Sequence, residues 1–134
     1  VNRKVVKIGI ISKDDYRNRT IAIAKGEYRP QKGEPKIWFE SLNSMSQVLS
    51  SDNQKLLGLI IKHNPRSLTE LEKLSNRNKS NLSRTLKTLE RFGIIDLPKE
   101  SGKLVPKVRA TDFSVRFGLN YSNPINKQPN HATI

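Results

Sequence analysis

Between Lys79 and Phe92, leucine recurs at spacings of four and three, at Leu82, Leu86 and Leu89, and the run closes on Phe92 and Gly93. At about 100° per residue, Thr85, Leu86, Leu89 and Phe92 fall within about 80° of Leu82, on one side of a helix. Ser80, Arg84, Lys87 and Arg91 fall at about 140° to 200°, so the opposite side is polar and mostly cationic. Gly93 stands where glycine commonly ends a helix. The spacing predicts a helix over 79–92 that must bury its leucines against something and leaves its cations outside.

The upstream segments supply that partner. Leu56, Leu57, Leu59, Ile60 and Ile61 form the most apolar stretch of the chain, preceded by Ser51 as a helix cap and ended by Asn64-Pro65, since a residue before proline is pushed out of helical geometry. Ser67 with Glu70 three residues later has the spacing of a capping box, and Leu68, Leu71 and Leu74 give the short helix that follows an inward face. Leu42, Met45, Val48 and Leu49 predict a further short helix before these. Downstream, Ile94–Pro98 reads as a strand, Lys99-Glu100-Ser101-Gly102 as a turn and Lys103–Thr111 as a returning strand. The segment 112–119 alternates Phe113, Val115 and Phe117, and either continues that strand or packs on the core. From Asn120 onward Asn, Pro, Ser and Gln dominate, which predicts a disordered tail over 120–134.

Residues 1–40 have a different pattern. Val5 to Ile11 is rich in β-branched residues and reads as a strand, Ser12 with Asp14 and Asp15 as a helix start, and Ile37-Trp38-Phe39 as a second strand. Too few apolar residues are present for a core of their own, so this strand-helix-strand appendage should dock on Leu42, Met45 and Val48 or complete a dimer or partner interface. The expected class is α+β: an appendage over 1–40 and a helical and hairpin domain over 41–119, the latter able to fold alone.

The order of helix, short helix, turn, longer helix and β-hairpin is that of a winged helix-turn-helix, whose third helix enters the DNA major groove. Charge agrees: 25 Lys and Arg against 12 Asp and Glu give +13 over 134 residues, spread through the chain rather than held in a tail, and a polyanion is the first partner to consider. The expected contacts at the start of the third helix are Arg77, Asn78, Lys79, Ser80, Asn81 and Ser83. Arg84, Lys87 and Arg91 extend them along its outer face, and Lys99, Lys103 and Lys107 lie on the hairpin. Arg bridges guanine O6 and N7, while Lys and Arg neutralise phosphates. A solvated surface helix also shows a charged face; the flanking capping box, the turn and the hairpin favour the DNA reading.

Residues 38–117 resemble a family of small prokaryotic predicted transcriptional regulators. Their winged helix-turn-helix is related to the broad MarR and ArsR groups, and some are antitoxins of toxin–antitoxin pairs. The resemblance rests on Phe39-Glu40-Ser41, Leu49-Ser50, Gln54-Lys55-Leu56-Leu57, Ser67-Leu68-Thr69-Glu70-Leu71 and the run from Ser80 to Ile95, with Lys25-Gly26-Glu27 fitting before it. It implies a double-stranded DNA-binding regulator, expected as a homodimer, or an antitoxin-like protein that grips a cognate toxin through its N-terminal region. A winged helix used for RNA or protein contacts is the third reading.

Other classes are poorly served. The chain has no cysteine and two histidines, and neither His63 nor His131 has an acidic pair or a second histidine near it in sequence, so no metal, cofactor or catalytic centre is expected. Gly26 and Gly33 match no phosphate-loop signature. No apolar run approaches the roughly 20 residues that span a bilayer, and the expected location is cytoplasmic.

Overall fold

The computed structural model describes residues 3–119, and the tail expected from Asn120 lies outside them. The fold is α+β. Strand β1 (Val5–Ile10) leads into helix α1 (Lys13–Ala24), whose cap Ser12 accepts the Asp15 amide, and strand β2 (Ile37–Phe39) returns parallel to β1. Three helices carry the main hydrophobic faces after the short α2 (Leu42–Val48): α3 (Ser51–His63), α4 (Leu68–Ser75) and α5 (Lys79–Arg91). The cap of α3 is Ser50 rather than Ser51, because it is the Ser50 hydroxyl that accepts the Asn53 amide, at 3.2 Å. Helix α3 ends where the Asn64-Pro65 pair predicts, with Asn64 in the left-handed region rather than the extended one that a following proline favours. Ser67 accepts the Glu70 amide at 3.1 Å, the half of the capping box made by the cap residue. Past the end of α5, the Ile94 amide donates to the Leu89 carbonyl at 2.9 Å and closes the helix around Gly93.

The hairpin is two short ladders. β3 (Ile95–Asp96) pairs antiparallel with β6 (Lys107–Val108), and β4 (Lys99–Glu100) with β5 (Lys103–Leu104). Pro98 and Pro106 fall between them, and a proline cannot donate to a ladder; the Val105 amide bridges the gap to the Pro98 carbonyl at 2.9 Å. Ser101 and Gly102, both at positive φ, make the two-residue turn at the tip.

The last element is β7 (Asp112–Arg116), which leaves the hairpin and pairs parallel with β1, giving the sheet order β2-β1-β7. Of the two outcomes expected for 112–119, neither is complete: the segment is a strand, but of the N-terminal sheet. One face of that sheet carries Ile8, Ile37 and Phe39 into the same core as Leu56, Leu57, Ile60, Leu71, Leu82, Leu86, Leu89, Ile94 and Ile95. Phe39 stacks on Phe92 with ring centroids 4.5 Å apart. The boundary expected at 40/41 therefore runs through one continuous core, and the N-terminal segment is packed into it rather than appended. Of the three residues expected to receive it, Met45 and Val48 pack against the same core, whereas Leu42 is 42% exposed.

The other face of the sheet meets α1. Trp38 points away from its core-facing neighbours, and the Arg19 guanidinium lies 5.1 Å from its ring centroid. Gly9 is opposite Trp38 in the register; a Cβ there would come within 2.5 Å of the indole ring, so only glycine admits this packing.

Candidate nucleic-acid interface

Helix α5 divides as its periodicity predicts. Leu82, Leu86 and Leu89 are buried, whereas Lys79, Ser80, Arg84, Lys87 and Arg91 are exposed. The side chains of Lys79, Arg84 and Lys87 make no ion pair or hydrogen bond with any other described residue. Arg91 lies against the ring of its neighbour Phe92, 5.8 Å from the centroid.

The residues before and within the first turn of α5 hold the scaffold. The Arg77 guanidinium donates to Asn53 Oδ1 at 3.2 Å and to the Asp52 carbonyl at 2.9 Å, fastening the α4–α5 turn to the start of α3. Asn78 caps α5: its Oδ1 accepts the Asn81 amide at 2.8 Å and the Ser80 hydroxyl at 2.9 Å. Asn81 and Ser83 are half-buried, and Asn81 Oδ1 is enclosed without a hydrogen-bond partner. Arg77 and Asn78 are thus positioning residues, while Lys79, Ser80, Arg84, Lys87 and Arg91 form the outward set. Composition along a helix could not separate them, because Arg77 reaches a residue 24 positions away.

The hairpin tip adjoins this helix. One shallow depression is lined by Ser67, Leu68 and Thr69 from the start of α4, Lys79 from the start of α5, and Lys103 and Leu104 from β5. Lys99 and Lys103, on either side of the turn, are exposed and have no ion-pair partner among the described residues. Lys107 is different, since its Nζ lies 3.4 Å from Glu100, and Arg109 likewise sits 3.6 Å from Asp96. Among the described residues, the cations near the body of the hairpin are compensated and those at its tip are not.

A second charged cluster was not anticipated from sequence. The nearly buried Arg19 pairs with Glu34 at 2.7 Å, with side chains only 9% and 15% exposed. The Tyr28 hydroxyl and the Gln31 amide also donate to Glu34. Burial pushes the Glu34 carboxyl up, but the Tyr28 hydroxyl, Arg19 and the Gln31 amide outweigh it and hold the group below its ordinary value. Its partners are all internal, and it clamps the 25–36 connection to α1 and Trp38. The residue types gave a weak signal, since a lone Arg and Glu 15 positions apart are ordinarily surface residues.

Among the described residues no cluster of His, Asp and Glu is placed to hold a metal, and no helix is long and apolar enough to cross a membrane.

The HVO_A0114 family matches residues 48–115, just over half of the chain. The chain belongs to the HVO_A0114 family. The part shared with HVO_A0114 proteins runs from the end of α2 through all of α3, α4, α5 and the hairpin into β7. It includes every residue of the outward cationic set, whereas β1, α1 and β2 lie outside the HVO_A0114 match. No curated protein and no solved structure matches the chain.

Proposed function

We propose that the protein is a cytoplasmic, non-enzymatic, sequence-specific regulator that binds double-stranded DNA through a winged helix-turn-helix formed by α3, α4, α5 and the hairpin. In this reading α5 lies in the major groove, with Arg84 and its neighbours at base edges and phosphates, and the hairpin tip follows the backbone or minor groove. The observation that carries it is the uncompensated outer face of α5 beside an uncompensated hairpin tip. Lys79, Arg84 and Lys87, with Lys99 and Lys103, stand exposed without partners among the described residues, while leucines on the opposite side of α5 fix the helix on the core.

Unpaired cations held on a rigid scaffold keep their condensed-counterion exchange available for a polyanion. A protein whose surface lysines were all paired internally would release fewer counterions on binding. Titration of the full chain with duplex DNA across a salt series tests the reading. Log K should fall linearly with log salt, with a slope of several units, and duplex DNA should compete better than RNA of the same sequence. A flat salt response, or a preference for RNA, would reject it.

A further inference from the structure

β7 is the outer strand of its sheet, and what it leaves uncovered is ordered. Among the described residues only β1 flanks it. The Asp112 amide donates inward to the Lys4 carbonyl at 3.1 Å. Alternate residues of a strand direct their main-chain groups to the same side, so Ser114 and Arg116 also bond toward β1, and the N–H and C=O of Phe113 and Val115 point outward. The register sets Phe113 against Val6 and Val115 against Ile8, on the core face of the sheet. Yet Val115 is 45% and Phe117 54% exposed. Free main-chain groups beside uncovered apolar side chains make a template for another strand.

The strand's own sequence selects the occupant. A two-fold interface must be self-complementary. If β7 pairs antiparallel with β7 of a second copy about an axis at Ser114, Phe113 stands opposite Val115 of the other copy. These are the residues whose main-chain groups point outward, so the ladder closes. Asp112 then faces Arg116 of the second copy, and Arg116 faces Asp112, in non-hydrogen-bonded positions where side chains approach most closely. Asp112 already holds Arg3 at 3.2 Å, and a carboxylate has acceptor capacity for both guanidinium groups. A shift of two residues either way sets Arg116 opposite Ala110 or Ser114 and loses both ion pairs.

We propose that the outer edge of β7 is a homodimer interface, joining two copies through one continuous sheet with Ser114 at its centre. The inference rests on strand geometry and does not depend on the DNA reading.

Sedimentation equilibrium of the full chain in the micromolar range, without nucleic acid, is the test. The protein should be dimeric. Val115→Pro removes an outward N–H and no bond to β1, so it should give a monomer with an unchanged circular dichroism spectrum. D112R and R116D should each weaken association about tenfold, as two pairs turn from attraction to repulsion. An equimolar mixture of the two should associate again, because both facing pairs regain opposite sign. If D112R fails to fold for want of its bond to Arg3, R116D and V115P decide. A monomeric wild type would overturn the proposal, including the case in which residues 120–134 occupy the edge themselves. So would a folded V115P or R116D as dimeric as wild type, or two folded charge variants that do not associate when mixed.

Discussion

At the scale of single residues, charge type alone does not tell what an arginine does. Arg77, in the α4–α5 turn, and Arg84, on α5, lie seven positions apart, yet Arg77 bonds to Asn53 and the Asp52 carbonyl while Arg84 faces outward without a side-chain partner among the described residues. Arg77→Ala should therefore lower stability by about 1–2 kcal/mol, the loss of two hydrogen bonds from a charged donor, measured by urea denaturation. Arg84→Ala should leave stability within about 0.5 kcal/mol, as surface substitutions usually do. On the proposed function it should instead cost about 1–3 kcal/mol of DNA affinity and relax base preference at one position, read by binding to a panel of duplexes. Glu34 gives a residue-level pH dependence. Its folded carboxyl titrates below its ordinary value of 4.5, so its contribution is fully present above that pH and is lost as pH falls through the lower folded value. Glu34→Gln should cost about 3 kcal/mol at neutral pH, toward the low end for a broken buried pair because glutamine keeps some hydrogen bonds. The gap between wild type and variant should narrow on acidification below 4.5; a gap that stays constant down to about pH 3 would show that the carboxylate is not the stabilising form.

At the scale of elements, the hairpin shows how local chemistry sorts equal charges into different roles. Pro98 and Pro106 split it into an inner and an outer ladder, and the ion pairs Lys107–Glu100 and Arg109–Asp96 lie along its body. Lys99 and Lys103 at the tip have no such partner among the described residues and adjoin the start of α5 through the depression that Lys79 and Lys103 share. Replacing Lys99 and Lys103 together by alanine should weaken binding to all duplexes alike and reduce the salt slope by about two, one for each phosphate that is no longer neutralised. Lys107→Ala should change the slope less, since Glu100 already offsets that charge. Equal effects from the tip pair and from Lys107 would mean that the hairpin contributes only net charge.

At the scale of the whole molecule, the sheet couples the two ends of the chain. Val5 pairs with Asp112 and Ile8 with Val115, and Ile8, Ile37 and Phe39 are part of the core that α3, α4 and α5 complete. The 41–119 fragment, which on sequence grounds should fold alone, lacks these three buried core side chains and the only strand that β7 pairs with among the described residues. It should show no cooperative thermal transition and low amide-exchange protection in α5, where the intact chain melts in one step. A fragment that folds with a sharp transition would show that the N-terminal strands add only an accessory layer.

What the sequence determined by itself was local. The leucine spacing of α5, the caps at Ser12 and Ser67 and the stop at Asn64-Pro65 are set by interactions within four or five residues and appear where the pattern places them. The turn expected over Lys99-Glu100-Ser101-Gly102 narrows to Ser101-Gly102, because Lys99 and Glu100 pair with β5. The outward cations of α5 were legible for the same reason: burying one side of a helix fixes the other. Only the tertiary structure decided that 112–116 joins β1 rather than extending the hairpin, because strand pairing depends on which edge is open, not on the strand's own alternation. It also decided that Arg77 is a fastener and that Arg19 and Glu34 form a buried pair. Such partners are chosen by which surfaces the fold brings together, and a chain read one segment at a time carries no record of that choice.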